Sequence, residues 1–192
     1  LSTPIGRVRV VQMTTGGGFG GKEDYPNEVA VCAALLAQRT GRPVKLLLPR
    51  ELDVQASTKR HPIVVHHKLY ADGQGVIQGV DIELWVDAGA YAGLSTVVAE
   101  RANTSAVGPY AVENVNIRTK VVYTNNLFGG PFRGFGAPQV TVAHEGQMDR
   151  LAREAGLSPL DVRRVNALCA DRPVYSSGET IEAPERFSEV LD

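Results

Sequence analysis

Apolar and polar positions change their period along this chain, and each change marks a different kind of structure. "RVRVVQM", residues 7–13, alternates charged and β-branched side chains, the two-residue period of a strand. "YPNEVAVCAALLAQRTG" then places Val29, Cys32, Ala33, Leu36 and Ala37 three and four residues apart, which predicts a helix with one buried face. Pro26 suits its first turn, Glu28 complements the positive end of its dipole, and Gly41 is placed to end it. "PVKLLLP" predicts a short buried strand closed by Pro49. The opening unit therefore reads strand, glycine loop, helix, strand.

After residue 50 the two-residue period takes over. "PIVVHHKLYADGQGVIQGVDIELWVDAG" predicts two antiparallel strands around an Asp72–Gly73 turn, with Val76, Val80, Ile82, Leu84 and Val86 on one face. "VENVNIRTKVVYTN" sets Val115, Ile117, Thr119, Val121 and Tyr123 on one face of a further strand. Helical spacing returns in "PQVTVAHEGQMDRLAREAG", ended by Gly156. It recurs in "SPLDVRRVNAL", with Ser158 as N-cap and Pro159 at the first helical position. These elements make an α+β fold, a mixed sheet with packed helices, in one or two lobes.

Composition narrows the class. At 192 residues, with 43% hydrophobic and 21% charged side chains, the chain has the make-up of a globular domain with a substantial core. Twenty basic and 21 acidic residues leave a net charge of -1, which argues against a nucleic-acid or anionic-membrane surface. No run approaches the roughly 20 apolar residues of a membrane span, and "LSTPIGRVRV" lacks a signal pattern. The chain starts at Leu1 and stops within the helix-like "FSEVLD", so the expectation is a piece of a longer protein. Cys32 and Cys169 stand far apart and in no metal-ligand spacing, which suits a reducing, cytoplasmic setting and leaves no metal ligand assigned to this chain.

"GGGFGGKE", residues 16–23, satisfies two nucleotide-binding patterns at once. The phosphate-loop pattern fails on chemistry, because Glu23 stands where a magnesium-binding Ser or Thr hydroxyl is needed. The dinucleotide pattern through Gly16, Gly18 and Gly21 requires a continuing parallel sheet and an acidic residue such as Glu51 or Asp53, so an NAD- or FAD-binding domain is the first alternative. A non-catalytic assembly domain, whose glycine loops only pack against neighbours, is the second. What the residues establish is a helix start with bare backbone N–H groups and Phe19 as an apolar tip. "GGPFRGFGAPQ", residues 129–139, is a second lean loop, with Phe132 and Phe135 around Arg133. Aromatic residues in so lean a loop suit pocket walls.

Other chemistry is sparse. His66 and His67 are consecutive on a strand and point to opposite faces. "HEGQM" begins at His144 like a zinc motif but ends in Met148, and His61 before Pro62 reads as a turn residue. Trp85 alternates onto the face opposite the apolar set, where another domain could cover it.

The two loops, about a hundred residues apart, together with "PVKLLLPRELDVQASTKRHP", "DAGAYAG" and "ERA", resemble the molybdenum hydroxylases, the xanthine dehydrogenase/aldehyde oxidase family. The likeness is to the molybdopterin-binding chain or domain, is strongest to the xanthine dehydrogenase branch, and covers nearly all of residues 1–192. It implies that Gly17, Gly18, Phe19 and Gly20 lie against the molybdenum cofactor, molybdopterin, and that Arg133 approaches the metal centre. It implies that Phe135 stacks on a flat substrate while Glu23 and Arg101 orient it. That pair points to purines such as xanthine or hypoxanthine, or a similar N-heterocycle.

The residue types suit the implied reaction. Hydroxylating an electron-poor ring carbon, with oxygen from water, builds negative charge on the ring and its carbonyl oxygen. A guanidinium at that point stabilises the charge as it develops. The resemblance implies that electrons leave through iron–sulfur clusters and FAD on other domains or subunits. It also implies a general-base glutamate and a glutamine-bearing loop that have no equivalent here. The isolated chain is therefore expected to be inactive and to retain no molybdenum. The expected partners are a small purine-like substrate and the rest of the parent enzyme.

Overall fold

The hairpin predicted around Asp72 organises the molecule. In the computed structural model, which describes residues 2–184 and 186–191, β2 (Ile63–Ala71) and β3 (Ile77–Gly89) pair antiparallel. Between them one Asp72 carboxylate oxygen accepts the N–H groups of Gln74 at 2.9 Å and Val76 at 3.0 Å, an Asx-type turn. The register shifts at Tyr70/Ala71, so Ile77 rather than Val76 becomes the buried position at the start of β3. Val80, Ile82, Leu84 and Val86 are buried on the expected face.

β4 (Asn114–Tyr123) lies on the other edge of β3 and runs parallel to it. Parallel neighbours need a crossover, and α3 (Ser95–Thr104) with the loop after it supplies one. α4 (Ala137–Ala155) covers the sheet with Val140, His144, Met148 and Ala152, buried at four-residue spacing. Gly156 ends it at φ 69°, as predicted. α5 (Pro159–Asn166) starts where expected, the Ser158 hydroxyl accepting the Asp161 N–H at 3.0 Å. At its far end fully buried Asn166 accepts the Ile77 N–H and donates to the Gly75 carbonyl, each at 2.8 Å.

The N-terminal third corrects the sequence reading. α1 (Pro26–Thr40) forms and ends at Gly41, but residues 7–13 and 43–49 are not strands among the described residues. Val10 is 90% exposed and Leu47 79% exposed, so "PVKLLLP" is not buried either. A strand pattern needs a ladder partner to become a strand, and neither segment has one here. The same holds for the inner face of α1, where Val29, Ala33 and Ala37 are half-buried while Cys32 and Leu36 are exposed. Periodicity reports the face a helix offers, not what covers it.

α2 (Arg50–Ala56), α3 and a two-residue parallel bridge of β1 (Lys59–Arg60) with β5 (Gly129–Gly130) complete the frame, with a short turn of helix, α6 (Arg186–Glu189), near the C-terminus. His61, expected in a turn, is 2% exposed, its Nε2 2.8 Å from the Ser95 hydroxyl. Trp85 lies on the outer face, as expected, under the Lys120 ammonium at 4.2 Å. His66 and His67 do alternate, exposed and half-buried.

Candidate functional site

The two glycine loops carry the same backbone feature. In "GFG" of the first loop Phe19 has φ 53° and Gly20 φ 97°; in "GFG" of the second, Phe135 has φ 53° and Gly136 φ 99°. The left-handed region is costly for a bulky side chain, on the order of 1–3 kcal/mol, and persists only where surroundings hold it. Here the glycine after each phenylalanine is the anchor. A Cβ on Gly20 would collide with the Pro131 carbonyl, and one on Gly136 would stand 2.5 Å from the Val98 carbonyl oxygen of α3. The first loop is thus seated on the second, and the second on α3. Arg133 completes the joint, its guanidinium 5.8 Å from the centre of the Phe19 ring.

The residues carried over from the family resemblance divide into two groups by position. Phe19, Gly20 and Arg133 come together where the loops touch. Gly17 and Gly18 precede them in a turn closed by the Gly21 N–H donating to the Gly18 carbonyl at 2.9 Å. Phe135 is half-buried, its N–H donating to the Phe132 carbonyl at 2.7 Å. Through Gly136 it adjoins the Val98–Ala102 turn of α3, the turn that carries Arg101. Glu23 is exposed, its carboxylate accepting the Lys22 N–H at 3.0 Å. Among the described residues no hydrogen bond, ion pair or ring contact joins Glu23 to Arg101 or Phe135. Arg101 opens instead onto a cleft of about 650 Å³ shared with Thr141, His144, Glu145, Tyr175 and Phe187, which neither Glu23 nor Phe135 lines.

Electrostatics in that cleft follow from burial. Desolvation pushes the Tyr175 phenol up, while the Ser176 hydrogen bond and the Arg101 charge pull it down. Desolvation lowers His144 despite the neighbouring Glu145 carboxylate, so its ring is neutral at pH 7. The Glu145 carboxylate accepts from the Tyr110 hydroxyl at 2.8 Å and from Arg163 at 2.7 Å. Next to Glu23, Asp24 keeps a buried carboxylate oxygen with no hydrogen-bond partner among the described residues.

Sequence reasoning missed Arg60, His61 and Ser95, which brace the second loop. The signal was present in "KRHP" and in the paired glycines 129–130, but its meaning needs the contact between segments distant along the chain.

No strand precedes the first glycine loop among the described residues, and the main sheet is mixed, so the dinucleotide fold is not this one. The mixed α+β fold is instead that of the cofactor-binding domains of molybdenum hydroxylases. The chain belongs to the molybdopterin cofactor-binding domain family, whose model matches residues 1–167. It is 47% identical over 167 residues to the nicotinate dehydrogenase large molybdopterin subunit of Eubacterium barkeri, covering 87% of this chain and 39% of that one. Over 166 residues it is 36% identical to the xanthine dehydrogenase/oxidase of Gallus gallus, covering 86% of this chain and 12% of the relative. The solved aldehyde oxidoreductase from Desulfovibrio gigas matches with a TM-score of 0.81 at 31% identity, covering 91% of this chain and 19% of that one. The chain spans well under half the length of these relatives.

The first loop fits an anionic cofactor. A Cβ on Gly16 would meet nothing within 4 Å, so the backbone there is bare, whereas Gly20 is closed off by the second loop. Residues 16–22 carry no acidic side chain and Lys22 and Arg133 add positive charge, while the Glu23 and Asp24 carboxylates follow directly, so the bare backbone rather than net charge makes the fit. No helix among the described residues is long and apolar enough to cross a membrane.

Proposed function

We propose that residues 1–192 form the cofactor-facing domain of a molybdenum hydroxylase that oxidises an electron-poor N-heterocycle, with purines such as xanthine or hypoxanthine as first candidates. The seating of the Gly20 loop on Pro131 carries the reading, because it brings both motifs of the family resemblance to one place. An assembly domain with loops on separate faces is not supported by that contact. Gly17, Gly18, Phe19 and Arg133 hold the molybdopterin cofactor, which supplies an oxidising metal centre when bound, while Gly20, buried against the second loop, acts by seating the first loop there.

The chain's own side chains then act on the substrate. Phe135 stacks against the flat ring and fixes its plane. Glu23 accepts from a ring N–H through its exposed carboxylate. Arg101 faces the ring oxygen, where negative charge grows as the carbon is attacked, and binds that charge more strongly than it binds the ground state. The Arg101 cleft and the exposed Glu23 carboxylate are drawn to one substrate in this reading, which requires Glu23 to leave its bond to the Lys22 N–H. Two cysteines fall short of the four an iron–sulfur cluster needs, so those clusters and FAD belong to other parts of the parent enzyme. Unpaired Cys32 and Cys169 suit a reducing compartment such as the cytoplasm.

A second reading, nicotinate as substrate, is favoured by the 47% identity to a nicotinate dehydrogenase chain. One assay separates them. The full-length enzyme is offered xanthine, hypoxanthine, nicotinate and benzaldehyde with an artificial electron acceptor in ¹⁸O-labelled water. Purine turnover with label in the product is expected. Turnover of nicotinate alone selects the second reading, and turnover of benzaldehyde alone discards both.

A further inference from the structure

Residues 58–61 and the second glycine loop interlock. β1 and β5 pair in parallel, Lys59 beside Gly129 and Arg60 beside Gly130. Glycine is required at both places, since a Cβ on Gly129 would collide with the His61 ring and one on Gly130 would stand 2.5 Å from the Thr58 Cβ. From this joint the Arg60 guanidinium makes three contacts. One N–H donates to the Arg133 carbonyl at 2.8 Å, another donates to the Gln139 side-chain oxygen at 3.2 Å, and the Cζ lies 4.5 Å from the Phe132 ring centre. Gln139, in the first turn of α4, donates back to the His61 carbonyl at 3.2 Å.

His61 then reaches the other wall. Its Nε2 is 2.8 Å from the hydroxyl of Ser95, the first residue of α3, and both side chains are buried. Burial from water strengthens this bond, which ties the root of the second loop to the helix bearing Arg101, while the other ring nitrogen, Nδ1, has no partner among the described residues. It also excludes Ser95 as a nucleophile, because no substrate can reach it.

We propose that Arg60 and His61 are positioning residues that together set where Arg133 and Phe135 stand relative to Arg101. The inference rests on the hydroxylase reading for its catalytic consequence, but the mechanical link is independent of it. A planar fork is needed to hold a carbonyl, an amide oxygen and a ring face at once, so lysine is a poor substitute at position 60. A displacement of about 1 Å at a reacting group is enough to cost on the order of 100-fold in rate.

The test uses the full-length holoenzyme. In Arg60→Met, amide hydrogen exchange across residues 129–136 should quicken at least about 10-fold while exchange in β2 and β3 stays unchanged. The kcat should fall about 10- to 100-fold with KM changed far less and molybdenum content retained, and Arg60→Lys should not restore it. If Arg60→Met fails to fold, Gln139→Leu and His61→Gln report on the same joint. Unchanged loop exchange, or faster exchange spread through β2 and β3, overturns the link as a local device. Faster loop exchange with unaltered kcat overturns the positioning role. Absence of any hydroxylase turnover in the unsubstituted enzyme is a different failure, that of the functional reading, and the exchange result stands apart from it.

Discussion

Gly20 rests on Pro131 so closely that the position has no room for a Cβ, and its φ of 97° lies where only glycine is at ease. Gly20→Ala therefore meets two penalties, backbone strain and a collision with the partner loop. The cost should reach about 2–4 kcal/mol if the loops stay together. The cheaper response is for the loops to separate. The expected outcome in the full-length enzyme is loss of molybdenum with only a small change in melting temperature. Full metal occupancy with an unshifted melt contradicts the contact.

Asn166 supports the opposite end of the domain. It satisfies the Ile77 N–H and the Gly75 carbonyl where no water reaches. Asn166→Leu leaves both groups unpaired, which should cost about 2–5 kcal/mol in urea unfolding. Asn166→Asp keeps the acceptor for Ile77 and loses the donor to Gly75, so it too should be destabilised. An unaltered midpoint in both variants argues that the turn does not depend on this side chain.

Much of this was legible along the chain, and the gaps have a physical pattern. Gly41, Gly156, Ser158 and the Asp72 turn act through neighbours in sequence, so their signals needed no third dimension. The strands expected at 7–13 and 43–49 depend on partners that the described residues do not supply, and a period of two says nothing about partners. α3 was hidden because its first turn carries the β-branched Thr96, Val97 and Val98 and its N-cap, Leu94, offers no capping side chain. His61 looked like a turn residue beside Pro62, while its ring packs against Gly129, nearly seventy residues away, and against Ser95. At the site, the glycine loops were legible as motifs, but their mutual contact was not, and among the described residues no hydrogen bond or ion pair joins Glu23 to Arg101.

Three histidines predict acid sensitivity. Burial lowers His67 to about 4, reinforced by His144, and lowers His61 and His144 as well. A histidine whose pKa is lower in the folded state takes up a proton on unfolding between the two values. Its contribution is complete above the unfolded pKa and is lost as pH falls from about 6.5 towards 4. Melting temperature should decline through that window. His67→Leu should flatten the decline, since Gln147 bonds to the backbone carbonyl of residue 67 and not to its ring. Identical pH profiles for the two proteins count against a half-buried, neutral His67.

Arg101 provides the sharpest separation of chemistry from stability. Its side chain is exposed at the end of α3 and faces the cleft, so truncation leaves no buried group unpaired. Arg101→Met should shift folding stability by no more than about 0.5 kcal/mol. Removing a donor that binds charge developing in the transition state typically costs about 3 kcal/mol, which corresponds to a loss of roughly 100-fold in kcat. The full-length variant should therefore melt like its parent and turn over the purine about 100-fold more slowly. Arg101→Lys keeps a positive charge without the planar fork and should recover only part of the rate. Equal activity in Arg101→Met and the parent removes Arg101 from the catalytic set, and with it the main ground for preferring purines.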